Sequence, residues 1–385
     1  MEERNNYLYY FISFYALSYM VNAVYGTFMP VYLDHIGYGQ TAIGTLLALG
    51  PFIAMIAQPV WGIAGDRAKA KNIILQTLLL GSAISIIMYP LSESFYYLVF
   101  IMAMYTFFQT SIGPLIDAIT LEYIEKTHWK FGLIRMAGTI GFAVMSVVAG
   151  AIAKRYISAI FVLCFAVIIL NFIISFFLPK VKGYQFNAPK VAIWELFKNR
   201  ELVLLMIFNL VIQTTLGFYY AFFPIYFRSM GGDNALLGWA MFISAMSEIP
   251  FLLFADKILN KIGVYYTLLG SGVVAAVRWL ILHFVTNPYV VLPLQALHGL
   301  IFIVLSIALA TYINREVPKA LRASGQTMNG LIGMGLSRII GSMLGGALSD
   351  MVGIRQVFLY SSLLAFATVA AFGFIFANGG RHSQA

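Results

Sequence analysis

Apolar positions gather into twelve runs of about 20 residues or more, separated by short stretches of Gly, Pro and charged side chains. The runs cover 7–33, 43–65, 73–90, 95–121, 131–153, 157–178, 202–227, 236–255, 264–284, 289–313, 323–349 and 354–377. A helix of about 20 apolar residues is long enough to cross the hydrocarbon core of a bilayer. The pattern therefore predicts an all-α membrane protein with twelve transmembrane helices, and it leaves little chain for a soluble catalytic domain. The first run lacks the short apolar region and small-residue cleavage site of a secretory signal, so it is expected to remain as a helix.

The longest polar interruption, 179–200, carries two prolines and several basic residues and divides six runs from six. Pro30, Tyr32, Gly37 and Gly44 recur as Pro224, Tyr226, Gly231 and Gly238 at a constant offset of 194, and Gly138 and Gly141 recur as Gly330 and Gly333 at 192. The expected organisation is an N-terminal six-helix bundle (1–178), a cytoplasmic linker (179–200) and a C-terminal six-helix bundle (201–385). Two similar bundles can open a central site to one side of the membrane at a time, which is the architecture of a carrier. Gly341 and Gly345, four apart, are expected to allow close helix packing and to carry no chemistry.

Composition agrees: 61% hydrophobic and 10% charged residues over 385 positions is not the make-up of a soluble domain. The net charge of +9 is explained by topology. With both termini on one face, seventeen of the 24 Lys and Arg residues fall on that face and four on the other, which places the termini in the cytoplasm. The basic residues are scattered over short loops, with no stripe suited to nucleic acid. Cys164 is the only cysteine, so neither an intramolecular disulfide nor a cysteine metal cluster is possible. There is no phosphate-binding Gly-Lys loop and no nucleophile–base constellation, so the chain is expected to be no enzyme and to need no cofactor or metal.

Five charges lie well inside the runs, away from their ends: Asp117, Arg135, Glu248, Arg278 and Arg338. Each costs roughly 2.5–3.5 kcal/mol on insertion scales unless it faces water, a partner or a polar ligand. Asp117 and Arg135 sit on neighbouring runs and together offer acceptors and a forked donor. Glu248 has no basic residue three or four positions away, so its carboxylate must find a partner on another helix or carry a proton. Such a group suits proton coupling; a static pair with Arg278 is the alternative. Arg338 is divided between a cavity and a structural ion pair, and His283 is expected near a membrane surface.

The stretch Gln58-Pro59-Val60-Trp61-Gly62-Ile63-Ala64-Gly65-Asp66-Arg67, followed by Lys69 and Lys71, resembles the loop signature of the major facilitator superfamily. The resemblance implies a gating loop in which Gly62 lets two helices approach, Asp66 meets a helix N-terminus or an Arg, and Arg67 faces the cytoplasm. Pro114-Leu115-Ile116-Asp117, eighteen residues before Arg135, with Gly138, Gly141 and Phe142 following, is closer still to the lactose permease group and its phenylpropionate and nucleoside permease relatives. In that group the matching acid, Arg and aromatic residue hold sugar, which implies that Asp117, Arg135 and Phe142 bind substrate. Val277-Arg278 and Leu297-His298 resemble the group's polar cluster, and Ser247-Glu248-Ile249-Pro250 resembles the phenylpropionate branch. Two positions depart from the pattern. Ile301 stands where lactose permease has the carboxylate that carries its proton, and the seventh run offers Asn209 and Gln213 in place of an acid.

The expected function is secondary active transport: proton-coupled import of a sugar, nucleoside or aromatic acid by alternating access, with a drug:proton antiporter as the alternative. Asp117, Arg135, Phe142, Arg278 and His298 are the expected substrate residues, and Glu248 with Asp117 the expected proton carriers. A monomer in the cytoplasmic (inner) membrane, with a small-molecule substrate and the bilayer as its partners, completes the expectation.

Overall fold

The computed structural model describes residues 2–125, 127–183, 193–318 and 321–379, and the regular structure within them is helical. Lys126, Lys190, Lys319 and Arg381, four of the basic residues used to orient the chain, lie outside the described residues. The helices of the first half are α1 (Glu2–His35), α2 (Gln40–Arg67), α3 (Lys71–Met88), α4 (Phe95–Gln109), α5 (Ile112–Ile124), α6 (Phe131–Arg155) and α7 (Ala159–Ser175). Those of the second are α8 (Arg200–Ser229), α9 (Asn234–Met246), α10 (Glu248–Ile262), α11 (Val264–Phe284), α12 (Pro288–Leu294), α13 (Phe302–Glu316), α14 (Arg322–Gly330), α15 (Ser337–Val352) and α16 (Ile354–Gly379).

Ten stretches are long and apolar enough to cross a bilayer, and α1 with the 17-residue α7 completes the twelve. Four of the ten are interrupted: Phe95–Ile124 between α4 and α5, Asn234–Ile262 between α9 and α10, Pro288–Glu316 between α12 and α13, and Ser324–Val352 by a wide π turn, Leu331–Leu336. Two breaks follow from proline, whose ring displaces the carbonyl four residues back and whose nitrogen donates nothing. Pro114 stands four residues after Thr110, where α4 gives way, and Pro250 four after Met246, the last residue of α9. Yet Pro51 and Pro59 sit inside an uninterrupted α2.

The duplication is visible in the backbone. Gly37 and Gly231, offset by 194, end the first helix of each half with matching left-handed φ values of 92° and 90°, a conformation that favours glycine. Close crossings recur too. A Cβ on Gly141 would lie 2.5 Å from the carbonyl oxygen of Ala16 on α1, and one on Gly217 would lie 2.8 Å from that of Ser337 on α15. Gly341 faces the Thr214 carbonyl and Gly345 the Phe218 ring, so these small residues are packing positions.

The chain forms two compact units: Met1–Tyr38 with Leu49–Ala188 and Gly232–Ala245, and Gly39–Ala48 with Pro189–Gly231 and Met246–Ala385. The first turns of α2 therefore belong with the second-half helices, and α9 belongs with the first-half ones. In one unit Gly44 lies against the Ser342 carbonyl, and Asp350 accepts from the backbone of Gln40 (3.0 Å) and Thr41 (2.8 Å) and from the Thr41 hydroxyl (2.6 Å). In the other, Gly238 lies against the Ser146 carbonyl and Asn234 donates to the Ala153 carbonyl at 2.8 Å, while Lys154 pairs with Asp233 at 2.8 Å. Asp233 also accepts from the Leu236 amide at 2.8 Å, as an N-cap of α9.

Asp350 does the work of a cap for α2 from 309 or 310 positions away in sequence. Asp350→Ala is expected to cost about 1 kcal/mol, the usual loss for a removed cap, read as a lower melting temperature of the purified protein. The Lys154 ammonium, then the Leu236 amide, hold the Asp233 carboxyl below the ordinary carboxylate range. A carboxyl depressed in this way stabilises the fold above its unfolded pKa of about 4, and the gain is lost as pH falls through the folded value. The small difference in melting temperature between wild type and Lys154→Gln should therefore be full at neutral pH and vanish only below that range.

Candidate functional site

Two polar clusters form, one in each unit. In the first, Tyr15 and Tyr19, one turn apart on α1, meet α5 and α6. The Tyr15 hydroxyl donates to Asp117 Oδ1 at 2.6 Å and lies 3.3 Å from the Thr120 hydroxyl, while Arg135 Nε donates to the Tyr19 hydroxyl at 3.2 Å. Gly138 makes the second contact possible, because a Cβ there would stand 2.7 Å from the Tyr19 ring. Asp117 and Arg135 are not bonded to each other among the described residues; a tyrosine of α1 takes each one. Asp117 is half-buried, Arg135 is exposed and Phe142, two turns beyond it, is half-buried.

The second cluster is larger and drier. Arg278 on α11 is 0% exposed, so its donors must be met by protein. Nη2 donates to Gln295 Oε1 at 2.5 Å and Nη1 to His298 Nδ1 at 3.0 Å, and the guanidinium lies 4.4 Å from the centre of the Tyr219 ring and 5.1 Å from that of Trp279. Tyr219 also donates to Gln295 Oε1, at 2.7 Å, and Trp279 Nε1 donates to the Thr215 hydroxyl at 2.9 Å. Tyr220 and His298 Nε2 are 2.7 Å apart, Glu248 Oε1 is 3.8 Å from the same nitrogen, and the Arg338 guanidinium lies over the Tyr220 ring at 3.9 Å.

This geometry fixes a protonation pattern. A guanidinium can only donate, so His298 Nδ1 must accept and the ring proton sits on Nε2, facing Tyr220 and Glu248. His298 is then neutral, and its contact with Glu248 is a hydrogen-bond geometry in the making rather than an ion pair. Glu248 makes no pair with Arg278 among the described residues, so the static pair considered from sequence is replaced by a contact through His298.

Broken helices put these groups in place. Glu248 is the first residue of α10 after the turn at Ser247, and His298 lies in the turn between α12 and α13. The two turns touch: the Gly299 amide donates to the Ser247 hydroxyl at 2.9 Å, and a Cβ on Gly299 would strike the Ser247 carbonyl and come within 2.7 Å of the Glu248 nitrogen. Arg338 follows the π turn, an irregularity frequent at functional sites. Beside it, Asn209 Nδ2 donates to Asn329 Oδ1 at 3.1 Å, and Gln213 Oε1, Asn209 Oδ1 and the Nε atoms of Arg278 and Arg338 are buried with no hydrogen-bond partner among the described residues.

Gly62, Asp66 and Arg67 stand exposed near the end of α2, and no ion pair of Asp66 or Arg67 occurs among the described residues. The segment that leaves α7 grips this loop instead. The Gly183 amide donates to the Ala68 carbonyl at 3.2 Å, the Lys71 amide to Val181 at 2.8 Å, and the Val181 amide to Asn72 Oδ1 at 3.1 Å. Lys71 in turn pairs with Glu122 at 2.9 Å. Sequence reasoning missed Tyr15, Tyr19, Gln295 and this clamp. Tyr219, Tyr220 and Trp279 join the second cluster as well. The sequence carries little signal for them: Gln295 lies three positions before His298 and Trp279 adjoins Arg278, while Tyr15, Tyr19, Tyr219 and Tyr220 have no charged residue within four positions. His283 behaves as expected of a span end, with Nδ1 3.0 Å from the Arg355 carbonyl.

Comparison with known proteins identifies the family and the fold. The "MFS_1 like family" matches residues 7–360. The chain is 26% identical over 366 residues to "Uncharacterized transporter YwbF" of Bacillus subtilis, covering 94% of this chain and 90% of that one. It is 25% identical over 371 residues to "Maltose permease" of Geobacillus stearothermophilus (92% and 90%), and 24% over 357 to "Multidrug resistance protein MdtG" of Enterobacter lignolyticus (88% and 84%). Among solved structures, nucleoside transporter NupG superposes with a TM-score of 0.84 at 19% identity, over 98% of this chain and 99% of that one, a likeness of fold.

Gln295 is the test of how Arg278 is held. Gln295→Leu is expected to take a buried guanidinium's shortest acceptor away, at a cost on the order of 3 kcal/mol in thermal unfolding. Gln295→Glu, which keeps an acceptor, should retain most of that stability.

Proposed function

Because the chain belongs to the MFS_1 like family, we propose that it imports a small organic solute of the sugar or nucleoside kind by proton-coupled alternating access. It is a transporter of the major facilitator type and not an enzyme. The observation that carries the coupling is Glu248: a largely buried carboxylate in a membrane span, with no Lys or Arg partner among the described residues and 3.8 Å from a histidine that Arg278 holds neutral. A carboxylate so placed takes up a proton when the site is dry and gives it up when the site is wetted. Protonation removes the carboxylate's charge from the span, so proton and solute together set the net charge with which the loaded carrier reorients.

In this reading Asp117 and Arg135, reached through Tyr15 and Tyr19, bind the solute with Phe142 beside them, and Asp117 is the second candidate proton carrier. Arg278 and His298 shape the opposite cluster, with Arg278 setting the tautomer of His298. Gly62, Asp66 and Arg67 form the gating loop. The basic-residue asymmetry supports a cytoplasmic membrane location with both termini inside, and one chain with its own two clusters supports a working monomer. The maltose permease relative and the nucleoside transporter's fold support uptake.

The relatives named as multidrug resistance proteins favour a second reading, efflux of a lipophilic cation. Arg135, Arg278 and Arg338 weigh against it, since three guanidiniums within spans repel a cation. In vesicles holding the purified protein, substrate addition under symport raises the external pH, whereas antiport lowers it. Glu248→Gln should abolish uphill accumulation and leave solute exchange intact; accumulation at the wild-type level would remove Glu248 from the mechanism.

A further inference from the structure

The second cluster holds more positive charge than its own acids neutralise. Arg338, Tyr220, His298 and Arg278 form a continuous chain of contacts, and among the described residues Glu248 is the one carboxylate that touches it. The other acids near these helices are engaged or distant: Glu201 accepts from Tyr265 and Tyr312, Asp350 holds Thr41, and Asp256 and Glu316 make no ion pair among the described residues. One carboxylate against two guanidiniums leaves one positive charge in excess when Glu248 is ionised and two when it is protonated. The first cluster, with one acid and one Arg, has no such excess.

Arg338 is the guanidinium placed to be used. Arg278 is 0% exposed and committed to Gln295 and His298, whereas Arg338 is half-buried and rests on a ring face, with Nε lacking a partner. Along α8, Gln213, Gly217 and Tyr220 lie on the face turned to α15. A Cβ on Gly217 would be 3.1 Å from the Arg338 Cα, and Gln213 Oε1 is a buried acceptor with no donor. A planar fork beside an aromatic face and free amide groups suits a carboxylate on a hydroxylated body.

We propose that the transported solute is an organic monoanion, a sugar-acid type of carboxylate, whose carboxylate seats on Arg338. This rests on the proton-coupled reading above and narrows its substrate class. Charge conservation gives the reason. Taking up a proton at Glu248 with a neutral solute raises the cluster from one excess positive charge to two. Taking up the same proton with a monoanion leaves the excess at one, so the loaded and empty carriers cross the membrane with equal charge.

Purified full-length protein is tested by thermal shift and by proteoliposome uptake against matched pairs: glucose and glucuronate, maltose and maltobionate, adenosine and adenosine-5′-carboxylate. The expected result is that a carboxylated member stabilises and is taken up while its neutral twin is not, that Arg338→Gln weakens its binding at least tenfold, and that Arg338→Lys recovers part of the loss. A neutral member that binds as well as its carboxylated twin, or binding unchanged in Arg338→Gln, overturns the assignment. Proton-linked uptake of the neutral member alone overturns it while leaving the symport reading intact; anion uptake without proton movement supports the anion and sinks the coupling. Stabilisation by no member of the panel counts against the proposal. Should Arg338→Gln fail to fold, the wild-type pair comparison decides.

Discussion

A guanidinium with no access to solvent, Arg278, constrains the whole second-half unit. Burying a charge in a membrane span is tolerable only if protein groups replace its hydration, and here they come from two other spans, Gln295 and His298 in the tenth and the Tyr219 ring in the seventh, joined by neighbouring Trp279. Satisfying Arg278 orders Gln295, and the same acceptor orders Tyr219. It also chooses the tautomer of His298, and so decides what Tyr220 and Glu248 meet. The site is therefore built around an ion that is itself poorly placed to touch a ligand.

The broken helices belong to the same logic. A continuous helix satisfies its backbone internally and offers only side chains, whereas an interrupted one exposes amides and turns neighbouring residues toward the bundle. Glu248 begins a helix after such a break, His298 sits within one, Asp117 follows one by six residues from Ser111, and Arg338 follows the π turn. The freed groups are recaptured locally, as when the Gly299 amide finds the Ser247 hydroxyl. Gly299 is glycine because backbone of another helix occupies the place of its Cβ.

The two units solve the placement of charge differently. In the first, tyrosines of α1 hold an acid and an Arg apart, each with one strong contact and some access to its surroundings. In the second, the basic groups are embedded among aromatic rings and one acid waits at the edge.

The sequence by itself determined the number of spans, the duplication with its offset of 194, the family, and which ionisable residues lie inside spans, because hydrophobic length and the cost of intramembrane charge act on composition alone. It reached Asp117, Arg135, Glu248, Arg278 and Arg338 by that cost, and His298 by the family resemblance. Only the tertiary structure decided their partners: that Asp117 and Arg135 each meet a tyrosine, that Glu248 faces His298 and not Arg278, and that Gln295, Tyr219 and Tyr220 join the site. It also decided that Pro114 and Pro250 coincide with helix breaks while Pro51 and Pro59 do not. The reason is physical. A proline removes the same hydrogen bond wherever it stands, and a buried charge demands partners of a kind without naming them; which break opens and which partner arrives depends on neighbours that packing brings from distant parts of the chain.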